Sequence, residues 1–163
     1  MSPSASVAPK YALPEIERRW LVDPAALPPL DGLPYRLIED VYLDGGRLRL
    51  RKVSASGLET TFKLGKKYPA PDAQPEPIVN IYLTAAEFAA LAALPGRVSR
   101  KRRYAVGGGS LDVYEHPSPG LAVFEIEFGN AEAAARYTPP SFAVEEITRN
   151  PAHSGYALAG ARR

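Results

Sequence analysis

"YRLIEDVYLDGGRLRLRKV" (residues 35–53) reads as two strands around a turn. Apolar and polar residues alternate before "DGG", and Arg47, Arg49 and Arg51 alternate with Leu48 and Leu50 after it. Asp-Gly between two alternating runs signals a hairpin. Successive strand side chains point to opposite faces. One face therefore receives three guanidiniums about 6–7 Å apart, and the other receives two leucines. Like charges so placed repel one another, so a partner of opposite charge is expected to hold them.

The same alternation extends outward from this hairpin. Strands are predicted over "EIERRWLV" (15–22), "LETTFKLGKK" (58–67), "IVNIYL" (78–83), "RVSRKRRYAV" (97–106), "SLDVYEH" (110–116), "GLAVFEIEFG" (120–129) and "FAVEEIT" (142–148). "TAAEFAALAALPG" (84–96) predicts a helix, with Thr84 as cap, Glu87 three positions on, and Pro95-Gly96 as the stop. A second short helix is expected over "NAEAAARY" (130–137), and a turn or helix over "HSGYALAGA" (153–161). The Pro-rich residues 23–34 read as a turn or short helix and "YPAPDAQPEP" (68–77) as a mobile loop. Residues 1–13 read as a disordered lead, followed by one domain over 14–163. Seven or eight hairpin-linked strands and short helices predict an antiparallel sheet or barrel with the helices packed outside, Leu91 and Leu94 included.

Composition removes several functions. With 20 basic and 18 acidic residues in 163, the chain as a whole is no nucleic-acid arm, so charge must act through local arrangement. The absence of cysteine removes disulfides, thiolate metal sites and a thiol nucleophile, and fits a reducing, cytoplasmic setting. No apolar run approaches the roughly 20 residues of a membrane helix. His116 and His153 lack the spacing of a zinc site. "GGG" (107–109) lacks the Lys-Ser/Thr of a phosphate loop and reads as a turn. In "RKRR" (100–103) alternation leaves only Arg100 and Arg102 outside, without aromatic platforms, so nucleic acid is not the expected partner.

On the polar faces the charges segregate by strand. Glu15, Glu17 and Arg19 share one face, and Asp40 and Tyr42 another. Arg47, Arg49 and Arg51 form a basic set, as do Lys63, Lys101 and Arg103, while Glu125 and Glu127 form an acidic pair and Asp112 stands alone. A merely soluble face mixes signs. If the sheet closes, guanidinium and carboxylate walls face each other inside it. Arginine clusters suit phosphate oxygens, and paired carboxylates suit a hard cation such as Mg²⁺ or Mn²⁺. Together they point to metal-assisted phosphoryl transfer.

"EIERRWLV" resembles the Glu-x-Glu-x-Lys opening of the CYTH, or triphosphate tunnel metalloenzyme, superfamily. "VYL", "FKLGKK", "KRRYAV", "LDVY", "FEIEF" and "EEITRNP…YALA" are similar to its later motifs, in order, over residues 14–158. The resemblance implies an eight-stranded antiparallel β-barrel forming a hydrophilic tunnel, acting on triphosphate compounds with a divalent metal. It implies catalytic roles for Glu15, Glu17 and Arg19 and substrate binding by Arg47, Arg49, Arg51, Lys63, Lys101 and Arg103. The implied Mg²⁺ or Mn²⁺ would be held among Glu15, Glu17, Asp112, Glu125, Glu127 and Glu146. Arg19 stands where the signature has lysine, and Ile78 and Asn80 stand where many members have glutamates. The expected function is hydrolysis of inorganic triphosphate or a related compound. A polyphosphate- or nucleotide-binding module and a class IV-type adenylate cyclase are the alternatives. The expected partner is a small-molecule triphosphate or polyphosphate, without a membrane and with a homodimer allowed.

Overall fold

The computed structural model describes residues 8–71 and 75–162. Its strands are β1 (Leu13–Glu15), β2 (Glu17–Val22), β3 (Arg36–Leu43), β4 (Leu48–Ser54), β5 (Thr61–Lys67), β6 (Glu76–Leu83), β7 (Gly96–Val106), β8 (Gly109–His116), β9 (Ala122–Glu127) and β10 (Ala143–Glu146). Three short helices follow β6, β9 and β10: α1 (Ala85–Ala92), α2 (Ala131–Arg136) and α3 (Gly155–Leu158). Most of the expected lead, residues 1–7, and residues 72–74 of the expected loop lie outside the described residues.

All strands join one antiparallel sheet in the order β1-β6-β5-β4-β3-β7-β8-β9-β2-β10. The hairpins form where Asp-Gly and Gly-Gly predict them. Gly107 and Gly108, both at positive φ, make the two-residue turn between β7 and β8. The sheet curls strongly, because β1 and β2 stand at or next to its opposite ends yet are successive pieces of one chain. Lys67 on β5 confirms the curl by pairing with both Glu15 of β1 and Glu17 of β2.

The expected closed eight-stranded barrel is corrected here: the sheet has ten strands and its hydrogen-bond ladder does not close. The reason lies in the seam. At Ile16 the chain leaves β1, which pairs with β6, and enters β2, which pairs with β9 and β10. In the three-residue β1 ladder, Pro14 stands opposite Pro77. Neither residue has an N–H to donate, so the ladder cannot propagate there.

The outer face carries the apolar core. Trp20, Tyr104, Leu111, Phe124 and Phe142 cluster there with Tyr137 from beyond α2. Phe88, Leu91 and Ala92 of α1 cover Val41, Leu43, Leu50 and Leu64. The α1 start is fixed by its capping box: Thr84 N–H donates to Glu87 Oε1 at 2.8 Å, and Glu87 N–H donates to Thr84 Oγ1 at 3.2 Å. Leu94 does not join this cover. It lies beyond the helix end and is 46% exposed.

The C-terminal residues 147–161 cross one end of the curled sheet. Ile147 N–H donates to the Arg19 carbonyl at 2.8 Å, and Val98 pairs with Gly160. Arg97 donates to the Ala159 carbonyl, and Leu158 packs beside Tyr114, Val123 and Ile147. Gly155 lies so close to Tyr42 that a Cβ there would collide with the phenol. The trough is therefore covered where β3 finishes and β7 begins.

Candidate functional site

The three arginines of the opening hairpin meet three different fates. Arg51 donates from Nε and Nη2 to the two carboxylate oxygens of Asp40, at 2.7 and 2.8 Å. Asp40 is 1% exposed. The Arg51 guanidinium outweighs the desolvation of burial and holds the Asp40 carboxyl below the usual range. Arg47 reaches Glu76 at 3.4 Å near the surface. Arg49 makes no ion pair among the described residues, and its buried Nε has no hydrogen-bond partner. Glycine at position 65, directly opposite Arg49 on β5, leaves room for this guanidinium and for the Asn80 side chain. A Cβ there would stand 2.6 Å from Asn80 Oδ1 and 3.4 Å from Arg49 Nη2.

Lys63 sits opposite Arg51 in the register and also has no carboxylate partner among the described residues. Its pKa is lowered, first by desolvation and then by Arg51, Arg49, Arg103 and Arg36. A lysine pushed down by four guanidiniums marks a surplus of positive potential. Arg36, on the same inward face, forms no ion pair among the described residues. Arg49, Lys63 and Arg36 thus form a cationic wall with nothing in the protein to neutralise it.

The wall from β7 to β2 is neutralised internally. Asp112, 1% exposed, accepts from Lys101 at 2.6 Å and from Arg103 at 2.7 Å. Burial pushes its carboxyl up, but Lys101 and Arg103 prevail and hold it well below the usual carboxylate range. Arg103 also bonds Glu125, and Arg19 lies 3.8 Å from the same carboxylate. Arg19 Nη1 donates to the His153 carbonyl at 2.8 Å, so this side chain ties the acidic strand to the C-terminal segment. Tyr114 opposite Lys101 has its hydroxyl pKa raised, chiefly by burial and next by Asp112.

The remaining acids gather at the seam. Glu15 stands opposite Glu76, and Glu17 opposite Glu127. Like charges directly opposite on neighbouring strands destabilise a sheet unless a cation lies between them. Lys67 bonds Glu15 and Glu17, the latter at 3.0 Å. Glu127 is exposed and forms no ion pair among the described residues. Among the described residues, no three acidic or imidazole groups stand ready-made around a metal position. The oxygen donors of Glu15, Glu17 and Glu127 are nevertheless of the hard type that Mg²⁺ and Mn²⁺ take.

The structure thus brings Glu15, Glu17, Arg19, Arg49, Arg51, Lys63, Lys101, Arg103, Asp112, Glu125 and Glu127 to one inner face, with Arg47 at its rim. It does not bring Glu146 there. Glu146 pairs in register with Trp20 on the outer face and accepts both Arg18 Nε and Nη2, at 2.8 and 2.7 Å. A register shift between Ala143 and Glu145 sets which way β10 side chains point. Lys67, Arg36, Arg97 and Tyr114 also face inward and were not singled out from the sequence. Strand parity with Lys63 could have marked Lys67, and parity with Lys101 could have marked Arg97. The outward pair Arg100 and Arg102 is tied to Glu115, at 2.8 and 2.5 Å.

No family model and no curated protein matches the sequence. The fold is similar to the crystal structure of the inorganic triphosphatase NE1496, at 27% identity and a TM-score of 0.57, covering 92% of this chain and 97% of that one. It is equally similar to a structure described as the hypothetical protein NE1496, at 29% identity and a TM-score of 0.56, covering 91% and 99%. A charged, curled antiparallel sheet of the kind seen in a solved inorganic triphosphatase is thus the architecture of this chain.

Proposed function

We propose that this chain is a divalent-cation-dependent hydrolase of triphosphate compounds, in the triphosphate tunnel metalloenzyme superfamily. The observation that carries this reading is the unpaired cationic wall of Arg49 and Lys63, on the same inner face as the acidic seam of Glu15, Glu17 and Glu127. The similarity to an inorganic triphosphatase supports it.

Arg49 and Lys63 bind the outer phosphates, replacing mutual repulsion with charge-assisted hydrogen bonds. Lys101 and Arg103 stay positioned by Asp112 and present their remaining N–H groups to the same anion. Glu15, Glu17 and Glu127 would hold the Mg²⁺ or Mn²⁺, with Lys67 swinging away from the pair it now bonds. When bound, the cation would supply Lewis-acid polarisation of phosphate oxygens. Water adds to the terminal phosphorus, the bridging P–O bond breaks, and the displaced phosphate chain leaves with that oxygen.

Arg19 is bonded to a backbone carbonyl rather than directed at open space. That observation favours, as a second reading, capture of polyphosphate without turnover. Phosphate release from tripolyphosphate, measured with Mg²⁺ and with Mn²⁺, separates the two. Metal-dependent release is expected. Saturable binding without release would replace hydrolysis by capture, and neither would overturn both. Cyclic nucleotide formation from ATP would point instead to a cyclase.

A further inference from the structure

We propose that the triphosphate taken here carries an uncharged aromatic base, as a nucleoside triphosphate does, and that the base docks in a pocket at the uncovered end of the trough. This rests on the triphosphate reading above and names its substrate class. The pocket has a volume of about 720 Å³, within the roughly 300–1,000 Å³ of small-molecule sites. Its walls come from the start of β3, the end of β4, the end of β7 and the start of β8. That is the end opposite the one covered by residues 147–161. In the strand order these four strands stand together, whereas the acidic residues lie on β1, β2 and β9, around the seam. The pocket and the acids therefore face each other across the curl, with Arg49 and Lys63 on β4 and β5 between them.

The lining decides the chemistry. Leu33, Tyr35, Leu37, Leu58 and Tyr104 give it an apolar and aromatic wall, and Arg36 and Arg103 give it two guanidiniums. Leu33, Tyr35 and Leu58 are 41%, 41% and 66% exposed, which is costly unless something covers them. Arg103 belongs to both the pocket and the phosphate-facing network, so the two are continuous. Arg36 has no ion-pair partner among the described residues and adds to the potential at Lys63. A ligand with an apolar ring at one end and a polyanion at the other matches this gradient. No Asp or Glu lines the pocket, so a cationic ring would meet two guanidiniums and no counter-charge. A neutral base can instead stack on tyrosine or on a guanidinium plane. Bare tripolyphosphate would leave the apolar wall uncovered.

The test compares kcat/KM for ATP, tripolyphosphate and thiamine triphosphate, the last with a cationic ring. Wild-type protein is set against Leu58→Asp, a change at an exposed position that does not threaten folding. ATP is expected to be the best substrate, and Leu58→Asp is expected to lower the ATP-to-tripolyphosphate ratio by about tenfold, the loss of one buried leucine contact plus a like-charge penalty toward phosphate. Tripolyphosphate turnover with an ATP-to-tripolyphosphate ratio that Leu58→Asp leaves unchanged would overturn the pocket assignment while the triphosphatase reading stands. A preference for thiamine triphosphate would overturn the choice of an uncharged base. If nothing is turned over, the hydrolysis reading fails, and the same ratios taken from calorimetric affinities decide the pocket by the same criterion.

Discussion

Arg51 and Arg49 stand two residues apart on one face of β4, yet they belong to different regions. Arg51 joins the β3 and β7–β9 wall, where Asp40 and Asp112, each 1% exposed, neutralise Arg51, Lys101 and Arg103. Arg49 joins Lys63 in a region where cations face cations. In the first region charge is spent on holding strands together. In the second it is left over, and folding alone gives no reason for that surplus. Buried charge marks a ligand site where it lacks a partner, not merely where it is dense.

The largest effect should come from breaking the neutral wall. Arg51→Gln leaves the Asp40 carboxylate buried and unpaired, which costs about 3–5 kcal/mol. Tm should fall by about 10 °C for a chain of this size. A differential scanning fluorimetry trace that matches wild type would dissolve the distinction between the walls. Glu127→Gln probes the seam. Activity toward tripolyphosphate should fall about a hundredfold or more, while Tm holds or rises because a like charge opposite Glu17 is gone. Unchanged turnover would remove Glu127 from the cation site.

Acid should act on the neutral wall as well. Asp40 and Asp112 have folded pKa values below their unfolded ones. Their contribution to stability is complete above about pH 4 and is lost as pH falls through the folded values. Urea unfolding between pH 6 and pH 3 should show this loss, and Asp112→Asn, if it folds, should flatten the slope. The smallest effect concerns the cationic wall. Lys63 has a lowered pKa, so bound polyanion should raise it and draw in a fraction of a proton at alkaline pH. Calorimetry in buffers of different ionisation enthalpy would detect that uptake. Proton release would contradict the sign.

Much of this was legible in the alternation. Strand parity alone placed Glu15, Glu17 and Arg19 together and put Arg49, Lys63 and Lys101 on polar faces. The Thr84–Glu87 box marked α1. What parity cannot supply is register between distant strands. It could not show that Asp40 stands opposite Arg51 rather than Arg49, which is what sorts structural cations from free ones. Nor could it show the break at Ile16 and the Pro14–Pro77 pairing that keep the ladder open, or the shift in β10 that sends Glu146 outward. Lys67 was hidden for a related reason, since its partners lie across a seam that exists only once the sheet has curled. The pocket between Leu58 and Tyr104 joins segments far apart in the chain and leaves no local signature.

The most direct test of the central claim is a titration of tripolyphosphate into the Arg49→Gln/Lys63→Gln double variant, with the melting temperature measured alongside. The account predicts that affinity falls at least about a hundredfold, the loss of two charge-assisted contacts, while Tm stays level or rises as repulsion is relieved. Wild-type affinity in a folded double variant would contradict it.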